Sequence, residues 1–273
     1  MARTRAAGCL FVALVLLAGC NGLSGGSGTP TLTPANASAG TDELGISASG
    51  VEPPVLADTH DAVLSTTNYT LVVRERILWE NRTLRNTTFH RRVARGGDRY
   101  SINRTHETSG VPSTTLAQRI DVWYDGESAL TRLGGTAEAR YQRTPTSPPG
   151  PLPDPSSHWR IEDALAGFEV AVSPRANASG YHVVSTRDAD AASLATPTYV
   201  GQARNASMRA FVSDRGVVQF LRVSYDATYA GRPERVRVVR SIRVSDLGTT
   251  TVEPPAWTAA VPDQLGGFTG GSG

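Results

Sequence analysis

The chain carries two hydrophobic periods in succession. Between residues 53 and 65 apolar side chains recur at helical spacing, Val55, Leu56, Val63 and Leu64, behind Pro53 and Pro54, which suit a helix start. From Tyr69 the period drops to two. Tyr69, Leu71, Val73, Ile77 and Trp79 take the odd positions, and Thr70, Arg74 and Arg76 take even ones. That alternation predicts a half-buried strand over 69–79, followed by a turn at Glu80-Asn81-Arg82-Thr83. Further strands are predicted at 84–95, 98–106 and 114–125, broken by Gly96-Gly97 and Gly110-Val111-Pro112. In the last of these Leu116, Ile120, Val122 and Tyr124 share a face, and Asp125-Gly126 is a hairpin signal. Short strands at 128–133 and 137–143 follow.

Residues 145–155 hold six prolines, which neither a helix nor a central strand tolerates, so a stiff loop over one end of the sheet is expected. Ser157 is placed to cap a short helix from Trp159 to Ala166, closed by Gly167. Strands are predicted at 168–173 and 181–187. Residues 188–206 have no clear period and read as a helical turn and a loop. Strands at 208–213, 217–229 and 235–246 then bury Leu221, Val223 and Tyr225, and Val236, Val238, Ile242 and Val244, with Arg235, Arg237 and Arg243 opposite. Pro254-Pro255-Ala256-Trp257 opens a last short turn. Sequential strands joined by short turns make an antiparallel sheet. With helices on one face, the fold class is α+β.

Ahead of this body the pattern changes character. Arg3 and Arg5 precede an apolar run, and Leu17-Ala18-Gly19-Cys20 ends it: positive start, short apolar middle, small residues before a cut. From Ala6 to Ala18 the run has 13 residues, too short for a span of about 20. The alternative, a plain signal peptide followed by an ordinary cysteine, does not explain why the cysteine sits at the expected cleavage point. Residues 21–50 are rich in Gly, Ser, Thr, Ala and Pro and read as a flexible tether with a reach on the order of 30 Å. The Gly22-Leu23-Ser24-Gly25-Gly26 match to a hydrolase elbow is empty there, because that motif needs a strand before it and a helix after it. The expected organisation is a leader over 1–19, the Cys20 site and tether over 20–50, a β-rich domain over 51–262 and a disordered tail over 263–273.

Composition sharpens the address. All 27 basic residues are arginine, two of them in the leader, which leaves the remainder with 25 basic against 25 acidic residues. No basic surplus points to nucleic acid. Beyond Cys20 no cysteine remains, so internal disulfides are excluded. Of eight asparagines, seven begin an Asn-X-Ser/Thr sequon: Asn36, Asn68, Asn81, Asn86, Asn103, Asn177 and Asn205. On an exported chain these are candidate N-glycosylation sites.

The Leu17-Ala18-Gly19-Cys20 stretch resembles the lipobox of prokaryotic lipoproteins, in which the cysteine thiol is alkylated by a glycerolipid and becomes the new N-terminus. That resemblance implies a membrane anchor at Cys20 on the outer face of the cytoplasmic membrane. A lipobox combined with N-glycosylation implies an archaeal, and in particular haloarchaeal, source, although the chain lacks the acidity usual there. The element order also resembles the LolA/LppX-type lipoprotein fold and the uncharacterised haloarchaeal lipoproteins with Asn68-Tyr69-Thr70 entering the first strand and Pro255-Ala256-Trp257 closing the domain. It implies a strongly curved antiparallel half-barrel wrapped around short helices, with a cavity able to take a lipid or isoprenoid. The apolar positions that would line it are Tyr69, Leu71, Val73, Ile77, Trp79, Val122, Tyr124, Leu221, Val223 and Tyr225; the same residues also serve as plain core.

No catalytic constellation stands out. His60, His90, His106, His158 and His182 are scattered without zinc-ligand spacing, and Glu162 and Asp163 suit the first turn of a helix. No enzyme activity, cofactor or metal is expected, and the protein is expected to be a monomer. Arg74, Arg76, Arg91, Arg92, Arg222, Arg237 and Arg243 are expected on polar strand sides, either solvated or bound to anionic headgroups or glycans. An apolar cavity of roughly 300 Å³ or more between sheet and helices would indicate a ligand. A filled interior would indicate a structural or sensory envelope module.

Overall fold

The computed structural model describes residues 41–109, 119–134, 139–145, 154–176, 178–187, 189, 194, 199–229 and 232–261. Cys20, Asn36 and Asn177, the leader, most of the tether, most of the proline-rich segment and the tail lie outside the described residues.

The ordered body begins before residue 51, which corrects the tether boundary. Thr41–Leu44 forms a 3-10 turn, and β1 (Ile46–Ser47) pairs with β2 (Gly50–Val51). Leu44 and Ile46 are buried. Two apolar side chains among small polar ones are too few to register as a hydrophobic pattern. Gly45, at φ 66°, lets this hairpin approach the start of the next helix; a Cβ there would lie 2.9 Å from the Leu56 amide nitrogen.

Helix α1 (Pro53–Ser65) spans the predicted residues and buries Leu56, Ala57, His60 and Leu64, a single stripe at helical spacing. The first meander follows: β3 (Tyr69–Trp79), β4 (Arg82–Val93), β5 (Tyr100–Thr108), β6 (Arg119–Tyr124), β7 (Ser128–Gly134) and β8 (Arg140–Pro145). Glu80 and Asn81, both at positive φ, make the tight β3–β4 turn. Helix α2 (His158–Ala166) leads to the second meander: β9 (Val170–Pro174), β10 (Tyr181–Ser185), β11 (Val200–Val212), β12 (Val218–Tyr229) and β13 (Arg232–Ser245).

The eleven long strands form one sheet in the order β8-β7-β6-β5-β4-β3-β13-β12-β11-β10-β9, every pair antiparallel. The first meander grows outward from β3 to one edge. The chain then crosses by α2 to the other edge, and the second meander returns until β13 pairs with β3. The edge strands β8 and β9 do not pair with each other, so the half-barrel stays open. Its inner face and the two helices share one core, in which Leu71, Ile77, Val238, Ala210, Val183, Leu56 and Ile161 are all inaccessible or nearly so. Each large apolar side chain buried this way stabilises the fold by roughly 1.5–3 kcal/mol.

Three local expectations are corrected. Residues 200–206 belong to β11 rather than to a loop. Gln202 and Asn205 adopt positive φ, the β11–β12 register slips twice between Gly201 and Ser207, and the buried Ala203 and Ala206 fall three apart, so the period of two is lost. Ser157 does not cap α2 with its side chain; it sits at φ 66°, and Asp154 Oδ1 instead accepts the His158 N–H at 2.7 Å. Arg91 lies on the inner face, not the polar one, and donates to the Asp154 carbonyl at 2.8 Å. Adjacent strand residues point to opposite faces, so Arg91 and Arg92 cannot share a side.

Candidate functional site

Between α2 and the inner face of the sheet lies a cavity of about 290 Å³. Its floor comes from three neighbouring strands: Val73 of β3, Ile242 of β13, and Leu221, Val223 and Tyr225 of β12. These align because β13 sits between β3 and β12, with Ile242 opposite both Val73 and Leu221. Trp159, Arg160, Asp163 and Ala164 of α2 supply the facing wall, with Leu194 beside them.

One end of the floor is charged. Glu75 and Arg240 stand directly opposite each other on β3 and β13, both inward, and their side chains pair at 2.9 Å. The Tyr199 hydroxyl also donates to Glu75, and the Arg85 guanidinium lies 4.3 Å from the centre of the Tyr199 ring. Burial, reinforced by the bond to Glu75, pushes the Tyr199 phenol upward and keeps it protonated. Tyr225 is fully buried, and its hydroxyl has no hydrogen-bond partner among the described residues. Arg160 lies 4.5 Å over the Trp159 ring, and Asp154, Glu75 and Asp163 act on it only from beyond ion-pairing distance. Burial, and then the neighbouring Arg240, lower its affinity for its proton.

Of the ten positions predicted to line a cavity, the structure brings Val73, Leu221, Val223 and Tyr225 together here. Tyr69, Leu71 and Ile77 are buried in the core around it, and Trp79 is half-buried at the end of β3. Val122 and Tyr124 lie on β6, in the other half of the sheet; Tyr124 packs on Tyr100 at 5.0 Å and donates to the Gly126 carbonyl. The α2 wall and the Glu75–Arg240 pair were not anticipated, yet the strands carried a signal. Glu75 interrupts the odd apolar positions of β3, and Arg240 interrupts Val236, Val238, Ile242 and Val244 on β13. Two opposite charges, each at an inward position, mark a functional or structural interruption of the core.

The remaining candidates are dispersed. Asn81 and Asn205 are exposed, both in turns or bulges at positive φ. Asn68 is held by Thr250 and Arg95, and Asn103 donates to Asp121 at 2.6 Å. Asn86 is buried, accepting from Arg74 and donating to Glu107. Arg74, Arg76, Arg92, Arg222, Arg237 and Arg243 occupy the outer face, where Arg237 pairs with Asp226 at 3.5 Å. Burial, then the neighbouring Arg209, Arg76 and Arg237, make Arg222 less basic than usual. On the same outer face Tyr141 stacks on Trp257, which places the closing segment over that end of the sheet.

His158 pairs with Asp58 at 2.8 Å, but that carboxylate is well exposed. His182 packs on Phe211. His106 bonds Thr87, and His60 bridges backbone groups. Among the described residues no three His, Cys, Asp or Glu side chains converge as a metal site, and no helix is long and apolar enough to cross a membrane.

No protein-family model matches this chain, and no curated protein matches it. Among solved structures it is similar to a LolA superfamily protein from Nitrosomonas europaea, at 10% identity over 76% of this chain and 96% of that one, with a TM-score of 0.25. It is also similar to a DUF1329 family protein from Desulfovibrio piger, at 10% identity over 75% of this chain and 94% of that one, with a TM-score of 0.24. Likeness at this level decides nothing about ligand or partner; the cavity itself has to.

Proposed function

We propose that this protein is a lipid-anchored, N-glycosylated surface protein that holds an apolar molecule between α2 and the curved sheet. The observation that carries the reading is the cavity: about 290 Å³, at the lower bound of small-molecule sites, with a floor of Val73, Ile242, Leu221 and Val223. An interior meant only to be filled closes such a space at the packing density of a protein core. The proposed activity is binding rather than catalysis, carried out by a monomer.

The address rests on sequence. The lipobox resemblance at Leu17–Cys20 supports a glycerolipid on Cys20 and a place on the outer face of the cytoplasmic membrane. Two acyl or alkyl chains hold stably, since each buried methylene contributes about 0.8 kcal/mol and a single chain is marginal. The exposed Asn81 and Asn205 support glycan attachment at those two sequons, and lipobox and sequons together support an archaeal source.

Native mass spectrometry of the full chain from its native membrane tests the ligand. A co-purifying apolar molecule that organic extraction removes is the expected result. A ligand-free spectrum from material never exposed to solvent would leave a structural envelope module as the better reading. The anchor is tested separately: the Cys20→Ser protein is expected in the soluble fraction, and its retention in the membrane with normal leader processing would overturn lipidation.

A further inference from the structure

Three features of the cavity wall bear on what it would hold, and this step rests on the binding reading above. Arg160 projects from α2 into the cavity lining, partly buried, with a ring face as its contact and no carboxylate within ion-pairing distance among the described residues. A cation taken partly out of water without a counter-ion is costly, and the cost falls when an anion arrives. Tyr225 lines the same cavity, and its buried hydroxyl has no hydrogen-bond partner among the described residues. An orphaned buried donor is rare and likewise favours an incoming acceptor.

Asp154, Glu75 and Asp163 all act on Arg160 through space, in that order of strength, but none is within ion-pairing distance of it, and Asp154 accepts the His158 N–H. Glu75 is engaged by Arg240 and by Tyr199. Asp163 lines the cavity from α2 but belongs to an exposed residue, where water hydrates its charge. The rest of the floor is apolar. At roughly 30 Å³ for a group the size of a water molecule, the cavity holds about ten such groups.

We infer that the cavity selects an amphiphile with one anionic head, a carboxylate or a phosphate, received by the Arg160 guanidinium with the Tyr225 hydroxyl as second donor, and with an apolar body lying along Val73, Ile242, Leu221 and Val223, head and body together amounting to about ten such groups. Guanidinium and phenol both donate, so a neutral alcohol meets only half of what they offer, and a cationic head is repelled.

The test uses the delipidated full chain and four probes of equal chain length: decanoate, decyl phosphate, decanol and decyltrimethylammonium. Affinities are read by calorimetry. Decanoate and decyl phosphate are expected to bind about tenfold or more tightly than decanol, with the cation weakest, as for a charge-assisted hydrogen bond to a partly desolvated arginine. Arg160→Gln is expected to abolish most of the preference for decanoate over decanol, bringing the two affinities to within about twofold of each other. Tyr225→Phe removes an oxygen without a hydrogen-bond partner among the described residues, so it preserves the fold, and it is expected to weaken both anions by a smaller factor. Equal binding of decanoate and decanol, or an anion preference that survives in both variants, overturns the inference and leaves the binding reading intact. Failure of all four probes, together with a ligand-free native spectrum, overturns both.

Discussion

Acid should loosen this fold through one ring. His60 sits on the buried stripe of α1 with no accessible surface. Its Nδ1 accepts the Val218 N–H at 3.1 Å, which leaves the proton on Nε2, and that N–H donates to the Ser156 carbonyl at 3.1 Å. A neutral ring in this tautomer satisfies both backbone groups, tying α1 to β12 and to the segment that enters α2. Protonation would set a second N–H against the Val218 N–H and place a charge in the core. Burial therefore pulls the ring down from 6.5 to about 4, against smaller opposing effects of the Ser156 carbonyl and Asp61.

The sign follows from where the proton prefers to bind. Between about pH 6.5 and 4 the unfolded chain holds a proton on this ring and the folded chain does not. Stability from the neutral ring is complete above about pH 6.5 and drains as pH falls toward 4. The gap between 6.5 and about 4 corresponds to roughly 3 kcal/mol in full, of which about 2 kcal/mol is lost between pH 7 and pH 4.5. Burial also lowers His90 and His106, so the wild-type slope alone does not isolate His60. His60→Gln does, because glutamine keeps a donor and an acceptor but does not titrate. Urea unfolding followed by tryptophan fluorescence, at about pH 7 and about pH 4.5, should show the variant losing about 2 kcal/mol less than the wild type. Equal losses in the two proteins would refute the assignment.

Three further outcomes are expected. Gly180→Ala should destabilise the β10 turn by more than about 1 kcal/mol in thermal unfolding, because Gly180 holds φ 103° and a Cβ there would run into the Val212 carbonyl. Arg240→Met should cost about 2–4 kcal/mol, somewhat below a fully buried pair because both side chains keep partial exposure; adding Glu75→Leu should recover part of the loss in a double-mutant cycle. Intact mass of the native protein should fall by one glycan in Asn81→Gln and again in Asn205→Gln, but stay constant apart from the residue change in Asn86→Gln, whose amide is buried between Arg74 and Glu107.

Much of the architecture was legible along the chain because its signals are local. Helix α1 and strand β3 fall on the predicted residues, since a proline start, a 3.6 stripe and a clean period of two each arise from neighbours in sequence. Where local rules bend, the reading failed. Positive φ at Gln202 and Asn205 shifts the buried alanines of β11 out of phase, and two apolar residues in a polar stretch concealed the hairpin at 46–51.

Sequence alone determined the alternation that gives the sheet its two faces, the positions of its turns and the lipobox resemblance at Cys20. It could not determine that β13 returns to pair with β3. That pairing joins residues such as Glu75 and Arg240, 165 positions from each other in sequence, and many registers satisfy an alternating pattern equally well. The cavity depends on it. Val73, Ile242 and Leu221 become neighbours only through β13, Glu75 meets Arg240 only in that register, and α2 closes the space only because it is the crossover between the two meanders. Periodicity dictates which side of a strand is apolar; the long-range closure decides which apolar sides enclose the same volume.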